Sequence, residues 1–424
     1  MDYRTLPEGD FTLKNVTVPA ALLGGSGDLA TTDIAVSGGR LAESSAGPAL
    51  DMARAMVFPA FVDMHTHLDK GHIWARSPNP DGTFMGALDT VEADRSARWS
   101  AGDVAARMDF SLRCAWAHGT RAIRTHLDSP PEQDEITWPV FRALRDRWAG
   151  RIELQGVCLV GCDRADLGGR FIRTADLVAE AGGVLGMVTY PVPDLRERLH
   201  AFLALATERG LAVDFHVDET MDPESATLRE IAEAVLETGF AHPVVAGHCC
   251  SLSTQDPAQA QATVALVAEA GINVVSLPMC NLYLQDRRGG RTPRLRGLTL
   301  VHELRAAGVN VSFASDNTRD PFYAYGDLDM LEVLREATRI GHLDHAAHDW
   351  PRAFTLNPAA ACGFAPPSLA PGAPADLVIF RARSWTELLA RPQTDRIVLR
   401  GGAAIDRTLP DYAELDPLME PAHA

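Results

Sequence analysis

Val57-Phe-Pro-Ala-Phe-Val-Asp-Met-His-Thr-His-Leu-Asp-Lys70 is the stretch whose reading decides the fold. A run of apolar, β-favouring residues ends abruptly in His65-Thr66-His67. Residues i and i+2 of a strand project to one side, so the two imidazoles emerge in parallel. Two neutral imidazoles held side by side at a strand end make half of a divalent-metal site. An edge strand would leave both histidines in solvent, but the apolar run predicts burial, and buried polar groups need partners. The pattern therefore asks for further ligands at the ends of other strands.

Strand-like runs recur near 57–64, 120–127, 152–160, 184–190, 211–217, 243–248, 272–277 and 309–316. Amphipathic helical stretches separate them, at about 102–118, 134–149, 195–209, 224–239, 256–271 and 299–307, with two more at about 327–340 and 350–362. Eight strands interleaved with helices predict an α/β fold of the (β/α)8 TIM barrel type. An open doubly wound sheet would want a Gly-X-Gly-X-X-Gly loop after an early strand, and the chain has none. Residues 1–56 hold only short β-like pieces between Gly24-Gly25-Ser26-Gly27 and Gly38-Gly39. Too short to bury a core alone, they are expected to pair with the β-like C-terminal pieces within 366–424, leaving 57–365 as the barrel. The polar stretch from Gly71 to Ala101 reads as a long loop after the first strand, the kind that serves as a lid.

The chain has 424 residues, 46% of them hydrophobic, and a formal net charge of -17. Such an acidic balance excludes a nucleic-acid partner, which wants a basic face, and suits a small-molecule substrate. Seven cysteines without Cys-X-X-Cys suggest neither a disulfide framework nor a zinc ribbon. No apolar run is long enough to span a bilayer, and the expected address is the cytoplasm.

Barrel chemistry gathers at the C-terminal ends of strands. Leu211–His216 ends in His216, with Asp218 and Glu219 just beyond; Pro243–His248 ends in His248; Val309–Asp316 ends in Asp316, followed by Asn317. A strand-end histidine or aspartate commonly caps the next helix, so each alone says little. Together with His65 and His67 they form a set. His65, His67, His216 and Asp316 supply three neutral nitrogens and a carboxylate, suited to Zn2+ or Fe2+. Glu219 and His248 are the acid/base candidates around a water whose pKa the cation lowers. A two-metal site would want a bridging lysine in Gly186-Met-Val-Thr-Tyr-Pro-Val-Pro193, which has none, so one divalent metal ion is expected.

These residues resemble the amidohydrolase superfamily, and within it the bacterial cytosine deaminase group. The resemblance covers nearly the whole chain. It rests on Phe61-Val-Asp-Met-His-Thr-His-Leu-Asp69, Asp81-Gly-Thr-Phe84, Ile123-Arg-Thr-His-Leu-Asp128, His216-Val-Asp-Glu219 and Gly247-His248. It continues through Asn281-Leu-Tyr-Leu-Gln285, Ser315-Asp-Asn317, Asp320-Pro-Phe-Tyr323 and Ala375-Asp-Leu-Val-Ile379. It implies a barrel flanked by a small β-sandwich from both termini, and hydrolytic release of ammonia from an aminated heterocycle, cytosine or 5-methylcytosine. It implies that Glu219 protonates a ring nitrogen, that His248 and Asp316 assist the water, and that Phe84, Gln285 and Phe322 shape the pocket. Two features depart from that group. Leu159-Val-Gly-Cys162 lacks the glutamine that reads the pyrimidine amide edge, and Asp316 is followed by Asn317 rather than a second aspartate. Asn317 would put a hydrogen-bond donor beside the metal and turn a ring carbonyl or substituent towards it. Ser315-Asp-Asn-Thr-Arg-Asp320 is similar to the branch that hydrolyses N-substituted triazines of the ammelide type, releasing an alkylamine. A small-fold zinc deaminase is excluded because its Pro-Cys-X-X-Cys is absent.

The remaining candidates read as structural. His72 and His126 are expected to pack or to orient a ligand, Asp69 and Lys70 to be solvated or helix-capping, and Cys249 and Cys250 to pack. A scaffold without catalysis would have lost ligands, and this chain keeps them all. A homo-oligomer is expected.

Overall fold

The first and last strands of the chain share one sheet. The computed structural model describes residues 5–346 and 348–420. The N-terminal part forms β1 (Phe11–Pro19), β2 (Leu29–Ser37), β3 (Arg40–Ala42), β4 (Ala49–Asp51) and β5 (Met56–Pro59). The next eight strands are β6 (Phe61–Thr66), β7 (Thr120–Asp128), β8 (Glu153–Leu159), β9 (Leu185–Thr189), β10 (Val213–Val217), β11 (Val244–His248), β12 (Asn273–Ser276) and β13 (Val311–Phe313). The chain closes with β14 (Leu377–Phe380), β15 (Ile397–Arg400) and β16 (Ala403–Ala404). The terminal sheet runs β16-β15-β14-β5-β1-β2-β3, with β4 alongside β1, so the short N-terminal strands gain their core from C-terminal partners.

The apolar run over 57–64 is therefore two strands and not one. β5 pairs antiparallel with β14, and β6 pairs parallel with β7. The break falls at Pro59-Ala60, where Pro59 has no N–H to donate. Ala60 N–H donates to Asp376 O at 2.9 Å, and Phe61 N–H donates to Gly119 O at 3.1 Å. The chain thus changes sheets within two residues.

β6, β7 and β8 pair in parallel, and so do β9 to β13. Isolated parallel bridges Val157↔Val184 and Gly161↔Val188 join β8 to β9, and Thr66↔Asp316 joins the end of β13 back to β6. Parallel strands in this cyclic order bring all eight C-terminal ends to one rim. Between them lie α1 (Phe84–Arg98), α2 (Ala101–His118), α3 (Asp134–Trp148), α4 (Arg170–Glu180), α5 (Leu195–Arg209), α6 (Thr227–Thr238), α7 (Pro257–Glu269), α8 (Pro278–Leu284) and α9 (Val301–Ala306). α10 (Met330–Gly341) and α11 (Leu356–Cys362) follow β13. Among the described residues no helix is long and apolar enough to cross a membrane.

α1 occupies much of the stretch expected to be a loop. It buries only Ala87, Val91 and Asp94, so it lacks the apolar stripe that marks a helix in sequence. Polar anchors hold it instead. Thr83 caps its first turn by accepting from Gly86 N–H, and buried Asp94 accepts from Arg76 Nη2 at 2.8 Å and from Trp99 Nε1 at 2.8 Å. α4 was also absent from the expected set, although Phe171, Ala175 and Val178 carry the i, i+4, i+7 spacing of its buried face.

The terminal sheet is locked to the parallel strands by a buried ion pair. Arg396, just before β15, donates from both terminal nitrogens to the two Asp329 oxygens, each at 2.6 Å, beside the start of α10. Burial alone would raise the Asp329 carboxyl; the Arg396 guanidinium outweighs it and holds the group down to about 2. That value lies below the carboxylate's unfolded pKa of about 3.9, so the stabilisation is full above pH 4 and is lost as pH falls through the folded value. It is worth on the order of 2 kcal/mol. Arg396→Met should leave Asp329 buried without its partner and cost about 3–5 kcal/mol. Urea midpoints should show that loss at pH 7 and show it shrinking between pH 4 and 2. An unchanged midpoint would mean that the pair contributes nothing.

Candidate active site

β6 delivers His65 and His67 to the rim, as the i, i+2 spacing requires, with ring centroids 5.4 Å apart. His65 is fully buried, and its ring lies where a side chain at position 247 would stand. A Cβ on Gly247 would come within 2.9 Å of His65 Cε1, so the glycine before His248 makes room for the imidazole. β10 carries His216. Asp316 stands just past β13 and is pulled to the same point by β6. Ser315 Oγ donates to buried Asp63 Oδ2 at 2.5 Å, Ser315 N–H to Asp63 Oδ1 at 3.1 Å, and Asp316 N–H to His65 O at 2.9 Å.

The four side chains converge on a single point. His216 Nε2 is 3.2 Å from His65 Nε2 and 3.2 Å from His67 Nε2. Asp316 Oδ1 is 3.5 Å from His65 Nε2 and 3.3 Å from His67 Nε2. Ligands about 2.0–2.2 Å from a tetrahedral cation lie about 3.3–3.6 Å from one another, so these separations are the edges of such a polyhedron. Burial, reinforced by a neighbouring charge, holds all three imidazoles well below their usual range and hence neutral. The neighbour is chiefly His126 for His65 and His216, and Lys70 for His67. Burial pushes the Asp316 carboxyl up to about 8. Neither Asp316 oxygen has a hydrogen-bond partner, though both are buried. Such a set of converging, unsatisfied donors costs energy alone and fits a divalent cation.

A second group adjoins the first. Glu219, His65, His248, Cys280 and Asp316 fall into two overlapping clusters that share Asp316. Asn281, at the rim on α8, ties the pair together. Its Nδ2 donates to Glu219 Oε1 at 3.1 Å and to His248 Nδ1 at 3.0 Å. As assigned, these bonds leave the His248 proton on Nε2, which is buried and has no partner. Burial, then the field of Asp316, raises the Glu219 carboxyl well above its usual range. Burial, then His126, lowers His248 to about 3. The same burial thus favours the protonated acid in Glu219 and the neutral imidazole in His248. Several rim residues adopt left-handed backbone, with φ of 45° at Asp218, 67° at His248 and 64° at Asp316. Non-glycine residues pay for that conformation, and functional sites are where they concentrate. Asp218 has a helix-capping role: it accepts from Thr227 N–H at 3.1 Å and Leu228 N–H at 3.0 Å at the start of α6, which leaves Glu219 to turn inward.

The residues expected to shape a pocket make the following contacts. The rings of Phe84 and Phe322 meet edge to face, 5.5 Å apart. Gln285 Nε2 donates to the Glu219 carbonyl at 2.9 Å. Asn317 Nδ2 donates to Asp320 Oδ2 at 2.8 Å, and its Oδ1 accepts from Cys280 Sγ at 3.5 Å. Its side chain is therefore engaged within the loop that follows β13. His72 packs on Phe110, with ring centroids 4.8 Å apart. His126 stands closer in. It clusters with His65, His67 and His216, and its Nε2 is 3.3 Å from Asp214 Oδ1. Cys249 and Cys250 are buried free thiols, which burial raises well above the usual range.

Asp69 and Lys70 depart from the solvated or capping role expected of them. Both are buried. Asp69 Oδ2 accepts from Asp128 N–H at 2.7 Å, and Lys70 Nζ sits 2.9 Å from Asp128 Oδ1. The end of β7 supplies a carboxylate that draws the lysine inward. Asn281 and Lys70 are the site residues whose roles sequence reasoning missed. Asn281 had two signals: it opens the Asn281-Leu-Tyr-Leu-Gln285 stretch of the resemblance, and it follows the end of a predicted strand within five residues.

With this geometry in hand, the chain can be set beside known proteins. Residues 164–405 match the profile of the Amidohydrolase family. The chain is 54% identical over 422 residues to the pterin deaminase of Rhizobium rhizogenes strain K84, which covers 96% of this chain and 97% of that protein. It is 21% identical over 327 residues to the N-isopropylammelide isopropyl amidohydrolase of Pseudomonas sp. strain ADP, covering 73% and 76% of the two. The crystal structure of 5-methylcytosine deaminase from Klebsiella pneumoniae with 5-fluorocytosine superposes with a TM-score of 0.77 at 25% identity, covering 94% of this chain and 98% of that one. A profile that spans more than half of the sequence, and a relative 54% identical along nearly all of it, make this chain a member of the amidohydrolase superfamily, on its cytosine deaminase-like side.

Proposed function

We propose that the protein is a metal-dependent hydrolytic deaminase of a pterin-type ring, converting a 2-amino-4-oxopteridine to its 2,4-dioxo counterpart and releasing ammonia. The 54% identity to a pterin deaminase across 96% of the chain carries the choice of ring. Cytosine and 5-methylcytosine, the rings expected from sequence, share the aminated amidine chemistry, but their support is the weaker 25% identity to a solved 5-methylcytosine deaminase. The proposal includes a (β/α)8 barrel closed through the Thr66↔Asp316 bridge; because β5 pairs with β14, the barrel begins at β6 with Phe61 and not at residue 57, and the flanking sandwich takes the chain before β6 together with 366–424.

In this reading His65, His67, His216 and Asp316 hold one Zn2+ or Fe2+ ion. The ion supplies Lewis acidity, lowering the pKa of water at the site. Phe322 and Phe84 offer ring faces against which a flat heterocycle stacks. Burial and the field of Asp316 favour the protonated form of Glu219, which delivers its proton to the ring nitrogen beside the aminated carbon, so that charge does not build on the ring. Asn281 occupies Glu219 Oε1 and thereby leaves the proton on Oε2. His248, its Nδ1 accepting from Asn281, directs Nε2–H at the incoming oxygen. As the water oxygen bonds to the carbon, the now ionised Glu219 takes one water proton and passes it to the departing nitrogen; the C–N bond breaks, and the second water proton returns to Glu219 as the 2-oxo group forms. The balance is one water consumed and one ammonia released.

The test is an assay of ammonia release over pterin, cytosine, 5-methylcytosine, isocytosine and N-isopropylammelide, with products identified by chromatography. Pterin should give the highest kcat/KM and a 2,4-dioxopteridine product. Alkylamine release from the ammelide with pterin untouched would transfer the protein to the triazine branch.

A further inference from the structure

Lys70 is a buried cation with more hydrogen-bonding capacity than the fold uses. It is 5% exposed, three residues past His67, and its Nζ lies 5.3 Å from the centroid of the Phe322 ring. An ammonium carries three N–H donors. Asp128 Oδ1, at 2.9 Å, takes one of them, and the ammonium makes no other hydrogen bond among the described residues. Asp128 does not depend on Lys70 for its charge balance, because Arg95 on α1 donates to its other oxygen at 2.8 Å. Two cations thus share the Asp128 carboxylate, and Lys70 keeps unused donors beside the aromatic face. Nearby Asp320 is held within its own loop, accepting from Asn317 Nδ2 and from the Phe322 and Tyr323 N–H groups. Burying a cation with unused donors is costly unless a ligand completes it.

We propose that Lys70 reads the acceptor edge of the substrate, donating from Nζ to the 4-oxo oxygen and the adjacent ring nitrogen of a pteridine that rests against Phe322. The inference rests on the pterin reading above and assigns it a specificity residue. A 4-oxopteridine presents that oxygen and N5 side by side as two acceptors, the arrangement a cationic side chain reads on guanine O6 and N7. The role also accounts for Leu159-Val-Gly-Cys162, where no side-chain amide is present to read the ring.

The test compares two pteridines bound to the metal-loaded protein, by fluorescence titration. 2,4-Dioxopteridine keeps the 4-oxo acceptor, and 2,4-diaminopteridine replaces it with a donor. Wild type should prefer the dioxo ring, and Lys70→Met should lose about 10–100-fold of that preference, the worth of a hydrogen bond from a charged donor. Metal content should stay unchanged. Because Lys70→Met leaves Asp128 with one cation, Lys70→Met/Asp128→Asn provides a charge-balanced second variant, in which the preference should be lost to the same degree. A purely structural lysine would weaken both ligands equally and leave their ratio intact, which overturns the assignment. A wild-type protein that binds neither pteridine overturns the substrate reading itself, a different outcome from a wild type that discriminates and a variant that discriminates as sharply.

Discussion

His216→Ala is expected to empty the metal centre and to abolish measurable turnover. His216 Nε2 is the hub of the donor set, 3.2 Å from the Nε2 atoms of both His65 and His67. Removing it leaves three donors from one side of the polyhedron and opens a gap between β10 and β6. Loss of an outer partner of a metal ligand costs about 10–100-fold in affinity or activity, and loss of a ligand itself must exceed that. Elemental analysis of the purified variant should find little zinc or iron, and ammonia release should fall by more than about 100-fold. The metal-loaded wild type should also melt well above the chelated protein, because an ion that binds only the folded state stabilises it by mass action. The alanine variant should lose most of that gap. Full occupancy and full turnover in His216→Ala would remove β10 from the centre.

Glu219→Gln should separate chemistry from binding. The substitution keeps the size of the side chain and its bond to Asn281, and removes only the transferable proton. Metal should remain at the wild-type level, and kcat should fall by about 10²–10⁴-fold, the usual worth of general acid/base catalysis. KM should move little, since the ring still rests on Phe322 and Phe84. Near-normal kcat on the preferred ring would rule out the proton carrier, and a parallel loss of metal would recast Glu219 as a ligand.

The convergence of His65, His67, His216 and Asp316 was legible because strand ends announce themselves. The period-2 projection of His65 and His67 and the apolar runs before His216 and Asp316 need nothing beyond local pattern. The structure adds what local pattern lacks. Nothing near Pro59 says that the strand before it belongs with β14, more than 300 residues away; that pairing is settled by tertiary contact. α1 escaped because its anchor is Asp94 with Arg76 and Trp99, polar contacts that hydrophobic periodicity does not register. Lys70 looked like a surface charge because lysine usually is one; Asp128, 58 residues on, is what turns it inward. Asn317 stands beside Asp316, and what local pattern did not show is that Asp320, three residues further along the loop, holds one of its two amide N–H donors.

In the proposed reaction a cation held by His65, His67, His216 and Asp316 is required for release of ammonia from a pterin. Its most direct test is a metal titration of chelator-stripped protein, read as ammonia released from pterin at each step. Activity should begin near zero, rise in proportion to added zinc or ferrous ion, and level off at about one equivalent per chain. Stripped protein that turned pterin over at the full rate, with no response to metal, would contradict it.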